Sequence, residues 1–332
     1  MAGLSRSGFR NPLEADPALP EVWNAGYAGM TVAADWSGRV GEVWAEQWRR
    51  TERAFSALEP VLEAAILAVA PERGRFLDIG CGVGTTSLAV ARARPMAHVT
   101  GADLSADMVA IAQQRTTGVP NAGFVAADIL ELLGGVNPRH PGLEPGSRFF
   151  QNGQDSGIPG QARGDDTGAA PRFDLFFSRH GIMFFADPVA AFRAIHNTAA
   201  PGAPLVFTCF ASASDNPWAT LVTDPPAPAT GYAPGPFAFA NPELARAILT
   251  AADWTATVER VDFTYRAGEG DDPLGDAIAF LFRIGPAATA MRAAAPDTRE
   301  ALRTRLASRL ERQRRGDAID FPAAAWLWTA RA

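Results

Sequence analysis

The chain has 332 residues, 47% of them apolar and 20% charged, with 36 acids against 30 bases and a net charge of −6. That balance suits a globular fold with an ample core, and no basic block supports nucleic acid or an anionic membrane as partner. All 30 bases are Arg, so Schiff-base, pyridoxal-lysine and Walker-type phosphate chemistry are excluded.

In chain order, residues 1–35 read as an irregular arm rich in Gly, Pro and Ala. From Val40 to Val69 apolar residues recur at helical spacing, with Pro60 expected to split the run in two. Strand and helix patterns then alternate: a strand at 75–79, a helix at 85–94, a strand at 98–104, and a helix to Arg115 capped by Ser105. Strands follow at 123–127 and 173–178, then a helix opened by Asp187-Pro188, a strand at 205–210 and a helix opened by Asn241-Pro242. The last expected elements are strands at 257–265 and 325–330, with helices at 276–284 and 298–314 between them. Such alternation predicts an α/β fold on a parallel sheet.

Residues 134–171 break the rhythm, with nine Gly and five Pro among 38 positions. The segment Arg139–Arg148 resembles peptides translated from interspersed repeat elements of bacterial genomes, which implies an insertion without a chemical role; the expected readings of 134–171 are such an insert or plain disorder, with a working lid as the alternative. Cys81 and Cys209 form no disulfide framework, and neither an export signal nor an 18-residue apolar run is present, so the expected compartment is the cytoplasm.

The most informative stretch is Asp78-Ile79-Gly80-Cys81-Gly82-Val83-Gly84-Thr85, where a strand enters a glycine turn that opens a helix. The turn brings a ligand close to main-chain N–H groups. A dinucleotide site wants its third glycine where Thr85 stands. Asp78 would repel a pyrophosphate and attract an ammonium, which favours a cationic ligand with an amino-acid end.

Asp78-x-Gly80-Cys81-Gly82-x-Gly84 resembles the first motif of class I S-adenosylmethionine-dependent methyltransferases, and the later motifs fall in order. The resemblance is to the small-molecule group related to quinone-ring methyltransferases. The segments 178–188, 236–242 and 285–287 are most like an uncharacterised branch of that group. It implies a Rossmann-like, seven-stranded, mostly parallel sheet of order 3-2-1-4-5-7-6, the last strand antiparallel, under an N-terminal helical lid. It implies S-adenosylmethionine as cofactor, held by Asp78, Gly80, Cys81, Gly82, Gly84, Asp103, Leu104, Met108, Asp128, Ile129 and Ser178. Asp103 would take the ribose hydroxyls and Asp128 would lie near the adenine amine. Cys81 and Cys209 read as fillers.

The expected organisation is one folding domain: arm and lid at 1–70, core at 71–332, and a helical insertion at 266–320 before the last strand. His180, alone among four His, follows a strand's carboxyl end, as a structural residue or as a general base with an ordinary pKa near 6.5. Arg179 is either structural or a holder of an anionic substrate group. Trp36 and Trp44 belong either to the core or to a lid over the sulfonium. The segments 211–240 and 276–314 are expected to shape the acceptor pocket. The expected activity is methyl transfer to a small, apolar or aromatic metabolite. A nicotinamide-dependent oxidoreductase and a non-catalytic cofactor-binding protein are the alternatives. The Cys and His lack metal-ligand spacing.

Overall fold

A computed structural model describes residues 36–134, 172–222 and 231–332. The arm at 1–35, the Gly/Pro-rich segment from 135 to 171 and residues 223–230 lie outside the described residues.

Three helices lead: α1 (Arg39–Glu46), α2 (Trp48–Phe55) and α3 (Glu59–Val69). Then come β1 (Arg73–Ile79), α4 (Thr85–Ala93), β2 (Met96–Asp103), α5 (Ala106–Gln114), β3 (Ala122–Ala126), α6 (Ile129–Gly134) and β4 (Leu175–Arg179). After these follow α7 (Pro188–Asn197), β5 (Pro204–Phe210), α8 (Pro242–Ala251), β6 (Thr255–Glu269), α9 (Pro273–Leu281), α10 (Pro286–Ala293), α11 (Pro296–Glu311), β7 (Arg314–Arg315) and β8 (Ala318–Arg331).

The sheet has eight strands in the order β3-β2-β1-β4-β5-β8-β6, with two-residue β7 paired to β8. This is the expected order; the final strand counts as the eighth because β7 precedes it. β1 to β5 pair in parallel, and β8 runs antiparallel to both β5 and β6. Central strands are buried on both faces and alternate between two cores. Leu77, Phe176 and Phe207 join one, and Phe76, Leu175, Phe177 and Val206 join the other. The expected caps form: Ser105 Oγ accepts from Met108 N–H, Asp187 from Ala190 N–H, and Asn241 from the N–H groups of Glu243 and Leu244.

Several boundaries differ from the sequence reading. The leading helical run breaks twice. Pro60 does sit in the first turn of α3, but a further break falls at Gln47, because α1 packs on α5 while α2 packs on β6. Phe173 makes only an isolated bridge to Ala199, outside β4. β6 and β8 are much longer than expected, since the alanines at 323–325 are weak strand formers that pairing with β6 overrides. α10 was not expected, because its buried residues are only Ala287 and Ala288 and no large apolar side chain is buried to mark it. No single helix among the described residues is long and apolar enough to cross a membrane.

Candidate active site

The carboxyl ends of β1, β2 and β4 and the residues just past β3 converge on one cavity of about 350 Å³. Its floor is the glycine turn. Gly80, Gly82 and Gly84 all adopt left-handed backbone, at φ 68°, 54° and 77°. Gly80 and Cys81 N–H donate to Ala102 O at 2.9 and 3.1 Å, which ties the turn to β2. Gly82 N–H donates to Asp103 Oδ2 at 2.8 Å and Ser105 N–H to Asp103 Oδ1 at 2.9 Å. Burial pushes the Asp103 carboxyl up, opposed by those backbone donors.

Asp78 is deeper. It is 1% exposed, and Ser87 Oγ donates to its Oδ2 at 2.5 Å. Burial pushes its carboxyl up to about 7, with the Ser87 hydroxyl opposing. The same cavity is lined by Leu104, Met108, Asp128 and Ile129. Asp128 also opens α6, taking Leu130 N–H on Oδ1 at 2.8 Å.

The rest of the lining is aromatic and comes from distant segments. α1, α2 and the turn before them bring Trp36, Trp44, Trp48 and Phe55; later segments bring Phe184, Phe210, Trp218, Tyr265 and Phe280. Trp36 lies 5.3 Å from Trp44 and 4.8 Å from Phe184, ring to ring.

A family model described as a methyltransferase domain matches residues 48–265. The chain belongs to the methyltransferase domain family. Among curated relatives, a trans-aconitate 2-methyltransferase of Afipia carboxidovorans is 35% identical over 96 residues, 29% of this chain and 33% of that protein. A demethylmenaquinone methyltransferase of Clavibacter sepedonicus is 41% identical over 70 residues, 21% of this chain and 28% of that one. The chain thus spans about a third or less of the length of these relatives. Among solved structures, a phosphoethanolamine N-methyltransferase 2 of Haemonchus contortus in complex with S-adenosyl-L-methionine aligns at 17% identity and TM-score 0.46, covering 92% of this chain and 60% of that one.

The methyltransferase domain is of class I, and its cofactor is S-adenosylmethionine. The cavity floor fits that group. A buried carboxylate held by one neutral hydroxyl suits an ammonium, and a carboxylate oriented by two N–H groups keeps lone pairs for a diol. Gly82 adopts φ 54°, a backbone in which any side chain is strained, and a Cβ there would also push on Met108 Cε at 2.8 Å.

Two of the expected cofactor residues, Ser178 and Gly84, fall outside the cavity's lining. Ser178 is not among the cavity's lining residues; its Oγ donates to Ile79 O at 2.6 Å and accepts from Gly181 N–H at 3.1 Å. Gly84 also lies outside the lining, and a Cβ there would strike Phe124 Cζ at 2.5 Å, so it is the close-packing glycine of helix on sheet. Cys81 does line the cavity, but burial pushes its thiol well above the usual range, which suits a filler and not a nucleophile.

His180 does not keep an ordinary pKa. It is 8% exposed, at φ 61°, with Nδ1 on Thr208 Oγ1 at 2.9 Å and Nε2 buried without a partner. Burial, reinforced by the Arg179 charge, pulls it down to about 3. Arg179 is held by two carboxylates: Nη2 and Nη1 donate to Glu52, and Nη1 donates to Glu59 Oε2 at 2.8 Å. It is therefore structural, bridging β4 to α2 and α3. Glu52, Phe55 and Tyr265 escaped the sequence reading. No motif marks them, and only their place one or two helical turns from Trp44 and Trp48 set Glu52 and Phe55 apart. No group of three or more metal-ligating side chains is found among the described residues.

Proposed function

We propose that the protein transfers a methyl group from S-adenosylmethionine to a small, apolar or aromatic metabolite, in the cytoplasm, without nucleic acid or membrane as partner. One observation carries this reading: a single cavity joins an acidic, glycine-floored end to an aromatic end. The trans-aconitate and demethylmenaquinone relatives act on small molecules by their names, which supports the substrate scale but not a substrate.

Bound at the glycine turn, the cofactor supplies a methyl group already activated by its sulfonium. Asp78 is placed to hold its ammonium, Asp103 its ribose hydroxyls and Asp128 its adenine amine. Trp36, Trp44 and Phe184 exclude water above, and the aromatic end aligns the acceptor. A neutral imidazole near pKa 3 is a poor proton acceptor, so His180 positions and does not deprotonate.

Titration calorimetry tests the reading. S-adenosylmethionine and its demethylated product should bind and NAD should not, and Asp103→Asn should weaken binding by about tenfold or more. Binding of NAD alone would restore the oxidoreductase alternative. Cofactor binding without transfer to any member of a broad acceptor panel would leave a non-catalytic binding protein.

A further inference from the structure

The aromatic end of the cavity is a box with two polar interruptions. The Phe55 ring lies 5.0 Å from His180 and 5.9 Å, edge-on, from Tyr265. Phe210 sits 4.2 Å from His180 and 5.0 Å from Trp218, and Trp218 stacks on Tyr265 at 4.7 Å with 10° between planes. These faces suit a flat guest. The interruptions are His180 Nε2, buried without a partner, and the Tyr265 hydroxyl, which makes no hydrogen bond to any other described residue. Both groups stay uncharged near neutral pH: burial and then Arg179 hold the imidazole near 3, and burial lifts the phenol above its usual range.

Charge narrows the guest further. Among the described lining residues there are five acids (Glu52, Asp78, Asp103, Asp128 and Asp187) and one Arg, Arg179. Arg179 is already committed to Glu52 and Glu59. A carboxylate guest would meet no free cation. An ammonium guest would find Glu52 equally committed, to Arg179, while Asp78, Asp103 and Asp128 lie at the glycine-floored end. A hydroxyl can donate to Nε2 or exchange a hydrogen bond with Tyr265 at no charge cost, and each polar atom left unmet inside the box costs its desolvation.

We infer that this end of the cavity takes an uncharged, planar hydroxy-aromatic acceptor whose hydroxyl groups are met by His180 Nε2 and Tyr265 Oη. The inference rests on the methyl-transfer reading of the cavity. It separates this protein from an acceptor class such as the carboxylates named for one of its relatives.

The test is calorimetric titration of the full chain with 2-naphthol, naphthalene, 2-naphthoate and 2-naphthylmethylammonium, each with and without saturating S-adenosylhomocysteine. 2-Naphthol should bind at least about tenfold more tightly than the other three. Tyr265→Phe and His180→Asn, the latter chosen because Asn tolerates left-handed backbone, should each remove most of that advantage while naphthalene affinity stays within about twofold. Equal or tighter binding of the naphthoate or the ammonium overturns the inference, as does no measurable binding of 2-naphthol. An advantage that survives in both variants overturns it as well. Failure of S-adenosylhomocysteine to bind instead overturns the methyl-transfer reading, and the naphthol discrimination is then scored from the titrations without it. Retained S-adenosylhomocysteine affinity in each variant shows that it has folded.

Discussion

Asp78 is held by burial at a pKa of about 7, far above the ordinary 3.8. In the free protein the protonated form is therefore favoured on folding, so this residue's contribution to stability is full below about pH 4 and is lost as pH rises toward 7. An ammonium beside it reverses the preference, because the ionised form gains an opposite charge. Cofactor binding near pH 6 should then release close to one proton, and affinity should rise with pH and level off above about 7. Calorimetry in buffers of different ionisation enthalpy measures this directly; a buffer-independent heat at pH 6 would remove Asp78 from the ammonium site. At Gly84 an added Cβ meets Phe124 at 2.5 Å and Ala112 at 3.2 Å in a left-handed backbone. Gly84→Ala should cost about 1–3 kcal/mol in denaturant unfolding, through overpacking and strain. Asp78, the glycines and Asp103 were legible in sequence because a tight turn between strand and helix forces those residue types into adjacent positions. Tyr265 was not, since an aromatic residue on a strand reads as core whichever way it faces.

The N-terminal helices are attached to the rest by part-buried ion pairs. Arg179 at the end of β4 holds Glu52 on α2 and Glu59 on α3, and Asp276 on α9 takes Arg50 at 2.6 Å and Arg53 at 2.5 Å from α2. Removing one partner of a buried pair leaves an uncompensated charge, typically at a cost of about 3–5 kcal/mol. Arg179→Met strands two carboxylates and should lower stability by that order. It should also weaken cofactor affinity by loosening the helices that carry Trp44 and Trp48. Glu59→Gln keeps the hydrogen-bonding shape and should cost about 1 kcal/mol or less. Equal losses for the two variants, in paired melts, would deny the bridge its importance. Burial alone would raise the Glu52 carboxyl, but Arg179 more than offsets this and the net shift is downward. Its stabilising contribution is therefore present above about pH 4.5 and is lost on acidification below that value. Helices with a cap or a Pro in the first turn, such as α7 and α8, were legible with nearly correct ends. The pairing of Arg179 with residues more than 100 positions away was not, because sequence spacing carries no signal for an ion pair between separate elements.

At the scale of the molecule, the sheet does two jobs at one edge. β1 to β4 end at the glycine-floored half of the cavity, while β6 and β8 continue past the end of β5. β8 pairs with β5 only over 325–331, whereas it pairs with β6 from 318 onward. Tyr265 stands on that overhang opposite Phe321, with α9 and α2 packed against it. Shortening the overhang should therefore damage acceptor binding while sparing the cofactor. Phe321→Ala is expected to lower stability by about 3–5 kcal/mol and to raise the acceptor KM more than the cofactor Kd, as read from steady-state kinetics beside titration. The fold class was legible from strand and helix alternation, but the overhang was hidden by alanine, whose strand propensity is poor.

The position of β8 has a consequence for synthesis. β5 and β6 are not neighbours; the strand between them is encoded after every other strand of the described residues. A growing chain that has emitted residues up to 317 therefore carries two unpaired strand edges, one of them along a fully buried strand. Trp328 and the alanines around it join one hydrophobic core only after its other described members have been synthesised. The nascent protein must wait, with sticky edges open, for its closing strand, which makes the stretch of translation that adds β8 the interval in which a chaperone would matter most.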